Sequence, residues 1–369
     1  MKLAWFRPRP LDRAEYFDET AALIAQLRST HDITVFTADN AHDFVWMHFR
    51  APYDLCIHEL DDTAAHQFIW PYLMHYGGIL LLNTLTLNDS RSSALAREGR
   101  TADYRAEFAF SHSWAMLRAP LLAARLVLVA HAATAVALQD EYPGTRVRFA
   151  PTGVQGVQGV QGVQRVQEKS TVTFGVLDRG RLGIVERALQ RARDGGAAAA
   201  LMTDASPAHV LQHADVILAL RWPTSGEPLT PAIAGMAAGK PVVVYEIETT
   251  ADWPALNPQT WQPRGLSGDA PIVVSVDLRD EEHSLMLAIR GLATDQTMRE
   301  QLGGAARTWW RAHGTVAHAA DAWQPILLEA ASLAPPARPA DWPAHLTADG
   351  TEGARAILGE FGESVDFLT

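Results

Sequence analysis

The residues best suited to chemistry stand together in one run, Arg221-Trp-Pro-Thr-Ser-Gly-Glu-Pro-Leu-Thr230. The apolar stretch before it, Asp215–Leu220, reads as a buried strand. After it, Thr230 and Pro231 suit an N-cap and a first helical position. The small-residue helix Pro231–Ala238 stops at Gly239, and Val242–Tyr245 is the next strand. In such a strand–loop–helix unit the amides around Thr224, Gly226, Leu229 and Thr230, with Pro228 shaping the turn, meet the positive end of the helix dipole and can hold a phosphate. The loop also falls at the carboxyl end of a parallel strand, where open α/β sheets bind ligands. Glu227 supplies a carboxylate able to accept hydrogen bonds from sugar hydroxyls. An ordinary capped helix with an exposed glutamate accounts for the same spacing, so the loop by itself leaves both readings open.

The elements that position this loop recur along the whole chain. In the first half, strands are expected at Leu3–Phe6, Ile33–Phe36, Asp54–His58, Ile79–Asn83, Leu126–Ala130 and Arg146–Ala150, with helices such as Asp18–Leu27, Ala64–Tyr76, Ala102–Phe110 and Thr134–Tyr142 between them. The series restarts with Val172–Val176, Ala198–Met202, Val216–Leu220, Val242–Tyr245 and Ile272–Val276, followed by helices near Glu282–Thr294, Met298–Ala312 and Ala317–Ala331. Alternating strands and helices give parallel sheets covered on both faces. At the join, Gly-Val-Gln is repeated four times over residues 153–164, too small and polar a triplet to bury much, and so expected to be a flexible tether. The expected organisation is an N-terminal Rossmann-like domain (1–152), the repeat linker (153–170), a C-terminal domain (171–333), and a Pro/Ala-rich linker (334–369) ending in a short helix, Gly353–Phe361. Ala356, Ile357 and Phe361 are expected to dock that helix on the body.

Composition sets outer bounds. At 369 residues, 48% hydrophobic and 20% charged, the chain can build two cores. The net charge of −11 disfavours nucleic acid and anionic lipid as principal partners. Lys2, Arg7, Arg9 and Arg13 form a small basic cluster that leaves peripheral membrane contact open. The single cysteine, Cys56, excludes an intrachain disulfide and suits a cytoplasmic location. Arg125 and His131 interrupt the most apolar stretch, Pro120–Leu138, so no transmembrane segment is expected.

The loop and its helix, with Ala-Gly-Met-Ala-Ala-Gly-Lys-Pro-Val-Val at 234–243, resemble the nucleotide-sugar loop of glycosyltransferase family 4. Val127-Leu-Val-Ala-His131, then Tyr142-Pro-Gly144 and Val147-x-Phe-Ala-Pro-x-Gly153, are similar to that family's strand–helix–strand before the domain linker. The resemblance spans about residues 1–330. It implies a GT-B fold: two doubly wound parallel-sheet domains facing across a cleft. It also implies metal-independent, retaining transfer of a hexose from a UDP- or GDP-linked nucleotide sugar to an unidentified acceptor, with no further cofactor. The loop amides would hold the donor diphosphate, helped by Arg179 or Arg181 in the turn after Val172–Val176. Glu227, Arg181 and His131 become the catalytic candidates, and Asn83, Asn88 and Asp89 the acceptor-side ones.

Three departures set this chain apart from the pattern. Ala234 occupies the second acidic position of the loop helix, Asn83-Thr84 replaces a His-Asp pair, and Arg7-Pro-Arg-Pro-Leu-Asp12 replaces a glycine-rich first loop. Asparagine hydrogen-bonds a sugar but cannot shuttle a proton as histidine does. The competing readings are therefore a GT-B binding or scaffold module that has lost turnover, and a GT-B epimerase or phosphorylase. No Asp-x-Asp, P-loop or dinucleotide glycine motif occurs. His58-Glu59 begins like a metalloprotease helix but lacks the second histidine. His42, Asp43 and His48 around Trp46 read as a structural cluster, so no metal site is expected.

Overall fold

The computed structural model describes residues 1–9, 18–156, 171–203, 206–264, 268–348 and 351–362. The Gly-Val-Gln tether beyond residue 156 lies outside them, as does the first-loop segment 10–17.

The first domain is a six-stranded sheet of order β2-β1-β3-β4-β5-β6, parallel throughout. Its strands are β1 Lys2–Phe6, β2 Asp32–Phe36, β3 Leu55–Leu60, β4 Ile79–Leu82, β5 Leu126–Val129 and β6 Val147–Phe149. The helices between them are α1 Glu19–Leu27, α2 Asp43–Arg50, α3 Ile69–Tyr76, α4 Asn88–Arg97, α5 Thr101–Ser111, α6 Arg118–Ala123 and α7 Ala132–Glu141. The expected helix Ala64–Tyr76 is divided, a 3₁₀ turn at Ala64–His66 preceding α3. Alternation sends Ala4 and Phe6 to one core and Leu3 and Trp5 to the other, as a sheet buried on both faces requires.

The second domain carries β7 Val172–Val176, β8 Ala199–Met202, β9 Val216–Leu218, β10 Val242–Tyr245, β11 Ala255–Leu256, β12 Pro263–Arg264 and β13 Val273–Val276. Their order is β12-β11-β13-β10-β9-β7-β8, parallel except for the β11–β12 pair. Its helices are α8 Leu182–Asp194, α9 Pro207–His213, α10 Thr230–Ala237, α11 Glu281–Thr294 and α12 Gln296–Trp309, the last running into a π-turn at Trp310–Gly314. Ser206 and Asp295 cap α9 and α12 by accepting from the amides three residues on, which satisfies donors a helix start leaves unpaired.

The next helix, α13 (Val316–Ser332), leaves the second domain and completes the first. Its apolar residues Ala319, Ala320, Trp323, Leu327 and Ala330 fall at helical spacing and join the core around Leu3, Trp5, Leu23 and Leu27. The Trp5 and Trp323 rings stack at 5.4 Å. The chain crossing out of the first domain is pressed against the start of this helix. The Val154 amide donates to the Gly314 carbonyl at 2.9 Å, and a Cβ on Gly153 would lie 2.5 Å from Val316 Cα. Residues 334–348 then return over the first domain: Arg338 donates to the Met74 carbonyl, Trp342 meets Phe110 edge-on, and Leu346 enters the core. The last helix, α14 (Glu352–Glu360), departs from expectation. Ile357 and Phe361 are both exposed, so they do not dock it. Among the described residues no helix is long and apolar enough to cross a membrane.

Candidate functional site

The Arg221–Thr230 loop, which follows β9, lies against residues that follow β1, β4 and β5 of the first domain. Three bonds tie the loop to the first domain: the Leu85 amide donates to the Ser225 carbonyl at 2.6 Å, His131 Nε2 meets the Glu227 carbonyl at 2.8 Å, and the Thr230 hydroxyl donates to Glu19 Oε1 at 3.1 Å. Gly226 sits at φ +89°, and a Cβ there would lie 3.0 Å from Leu85 Cγ, so only glycine fits both the conformation and the space. The described residues provide no hydrogen-bond acceptor for the amides of Leu229 and Thr230.

Two loop details differ from the sequence reading. Thr230 is the first residue of α10 and does not cap it; its hydroxyl is turned to Glu19 of α1 instead. The Glu227 carboxylate folds back on its own loop, accepting from the Thr224 hydroxyl at 3.0 Å and the Ser225 amide at 2.7 Å. Thr224 also accepts from the Gly226 amide. The side chain thus shapes the turn, and its carbonyl reaches the other domain. Pro228 and Leu229 carry the chain from there into α10.

Opposite the loop, the first domain presents a buried polar cluster. Arg7, directly after β1, donates to Asp18 Oδ1 at 2.7 Å, and its Nε lies 3.6 Å from Glu59 Oε2. Glu59, near the end of β3, accepts from Asn83 Nδ2 at 3.0 Å and from the Thr20 hydroxyl at 3.4 Å. Burial pushes the Glu59 carboxyl up to about 7, against the attraction of Arg7; Glu19 and Asp18 add to the rise. Burial also raises Glu19, opposed by its own amide and by Thr230. Three carboxylates therefore share one arginine beside the start of α10. His131, at the start of α7, is held below the ordinary histidine range by burial, against its bond to Glu227 and the charges of Glu227 and Glu248, and so donates as a neutral ring.

The remaining candidates disperse. Arg181 is engaged by Glu281, which takes its Nε at 2.9 Å, contacts its Nη2 and also accepts from the Tyr245 hydroxyl. Its charge is thus shared with a carboxylate within the second domain. Arg179 lies in the same 3₁₀ turn, its side chain outside the described residues. Arg221 is itself the first residue of the loop, and its Nε donates to Asp178 at 2.6 Å. On the acceptor side Asn83 joins the crevice through Glu59. Asn88 is buried and accepts from Tyr104 of α5, away from the loop, while Asp89 is exposed beside Asp62. No group of three or more His, Cys, Asp or Glu suited to a metal occurs among the described residues.

Sequence reasoning did not single out Glu19, and weighed Glu59 only as part of a metalloprotease motif. A signal for Glu59 was present: it lies within the run Leu-Cys-Ile-His-Glu-Leu, whose strand is buried along its whole length. A carboxylate in such a strand is rare unless paired or functional.

Two doubly wound domains joined in this way, with strand ends facing across a crevice, define the GT-B fold. The chain is similar over 88–90% of its length to solved glycosyltransferase structures. WaaG, involved in lipopolysaccharide biosynthesis, superposes with a TM-score of 0.53 at 12% identity, over 88% of this chain and 99% of that one. Anabaena Alr3699/HepE, solved with UDP and glucose, gives 0.52 at 12% identity over 89% and 100%. A glycosyltransferase from Rickettsia africae ESF-5 gives 0.50 at 10% identity over 90% and 98%. No protein-family model matches the sequence, and comparison with curated proteins finds no match.

Proposed function

We propose that this protein is a glycosyltransferase that moves a hexose from a UDP- or GDP-linked donor to an acceptor held by the first domain. One observation supports the reading: among the described residues the amides of Leu229 and Thr230, which open α10 after a parallel strand, find no acceptor, and an open α/β sheet takes an anion in such a place. The complex of HepE with UDP and glucose, a protein of the same fold, supports it. The donor diphosphate would lie against Leu229 and Thr230, with Arg221 as the loop's own cation and the Glu227 loop around the sugar. Developing charge on the departing diphosphate would be stabilised by these fixed donors without a metal or cofactor, and with retention of configuration. Asn83, Glu59 and Arg7 would line the acceptor side, and His131 the floor.

In the structure described, Glu19 covers the first residue of α10. A diphosphate reaching that helix start must displace it, since two anions cannot share one set of donors. This feature, with Ala234 in place of a second acid, also favours a second reading: a GT-B module that binds without turnover. Thermal denaturation with UDP, GDP, UDP-glucose and GDP-mannose tests the first. A nucleotide at about 100 times its Kd adds about 2.7 kcal/mol, a shift of several degrees. If none of the four raises the midpoint, the donor site is wrong. If a nucleotide binds but neither transfer nor donor hydrolysis is detected, the second reading stands.

A further inference from the structure

Leu229, just before α10, and Ile233 within it border a cavity of about 480 Å³, within the range of small-molecule sites. Both domains enclose it. Phe149 and the start of α7 form one side, the turn after β10 another, and the end of α12 with α13 a third.

Its walls are apolar and aromatic. Trp253 and Trp309 lie 5.6 Å apart at 56°, and Phe149 opposes them with a ring left substantially exposed. Its charges have one sign. Glu248 and Asp252 line it, neither has an ion-pair partner among the described residues, and no lysine or arginine contributes to the lining. Three histidines also line it. The His131 ring is neutral and committed to the Glu227 carbonyl. His313 bonds the Trp309 carbonyl and stacks on that indole, with His318 beside it. The Thr249 hydroxyl is buried there with no partner. Indole faces attract a cation through their quadrupole, and unpaired carboxylates at the mouth add Coulomb attraction.

We propose that this cavity binds an organic cation, an ammonium group on an aromatic or aliphatic body, in a pocket that adjoins the nucleotide-sugar site and shares His131 and Leu229 with it. Because its lining comes from both domains, the ligand would join them and favour one interdomain arrangement. The proposal stands whether or not the protein transfers sugars.

Isothermal titration of the full chain with phenethylamine and benzyltrimethylammonium, against phenylpropionate as the anion of matched size, tests it. The expected result is saturable binding of at least one cation below about 10 mM, with the anion at least about tenfold weaker. The variant Glu248→Gln/Asp252→Asn, altered at two exposed positions, should keep the wild-type melting temperature and weaken cation binding about tenfold. Trp253→Ala should weaken it as well. Absence of saturable binding by either cation, equal binding of the anion, or unchanged affinity in the double carboxamide variant would overturn the proposal.

Discussion

Glu59 allows the interdomain cluster to be tested without knowledge of any substrate. The carboxyl titrates at 4.5 in its ordinary state and is pushed up to about 7 in the fold, chiefly by burial. Because the folded value is the higher one, its contribution to stability is complete below pH 4.5 and is lost as pH rises through 7. At one pKa unit per 1.36 kcal/mol, the ionised carboxylate lowers folding stability by about 3 kcal/mol above that range. Glu59→Gln removes the titration and keeps the shape. Its amide cannot satisfy Asn83 Nδ2 and Arg7 Nε together, so a pH-independent loss of about 1–2 kcal/mol is expected alongside. The informative quantity is therefore the slope. In urea denaturation of both proteins from pH 4.5 to 8, stability of the variant minus that of the wild type should climb by about 3 kcal/mol. Parallel curves over that interval would show that Glu59 ionises as an ordinary surface glutamate and that the description of the cluster is wrong.

Two further outcomes follow from the geometry. Gly226→Ala places a Cβ at φ +89° and against Leu85, costing about 1–2 kcal/mol of stability. It should also weaken nucleotide binding about tenfold in calorimetry, and unchanged values on both counts would separate the loop from the site. His345→Ala removes a 2.7 Å bond to Glu107, whose side chain is almost fully buried, and should cost about 1–3 kcal/mol in thermal or urea unfolding at pH 7. Burial raises Glu107, but the bonds from Arg91 and His345 outweigh it and hold the carboxyl below the ordinary range. That stabilisation is present above 4.5 and disappears as pH falls through the lower folded value, so the variant's deficit should shrink in acid.

Much of the architecture was legible because local signals determine it. Val172–Val176 and Val242–Tyr245 occur as read, and the other main parallel strands shift by only one or two residues at their ends, since runs of buried β-branched and aliphatic residues between turns leave little choice. The loop between β9 and α10 was visible for a similar reason: Pro231 and Gly239 mark both ends of one short helix. What could not be read is where side chains find partners. Thr230 looked like a cap, but a carboxylate 211 residues away takes its hydroxyl. Arg181 was read only as a diphosphate ligand, and its acceptor in the fold stands 100 residues on. Glu19, Thr20, Glu59 and Asn83 converge only once the sheet order is set, and no periodicity in the sequence announces that.

The placement of α13 has a consequence for how the molecule is made. Trp5 waits for Trp323, and the layer around Leu3 and Leu23 stays open until Leu327 and Ala330 arrive. A ribosome that has released all of the first domain's own strands has therefore still not delivered the residues that seal it. Fragments ending before residue 316 should expose that apolar surface and aggregate, so the first domain is not a unit that can be expressed alone.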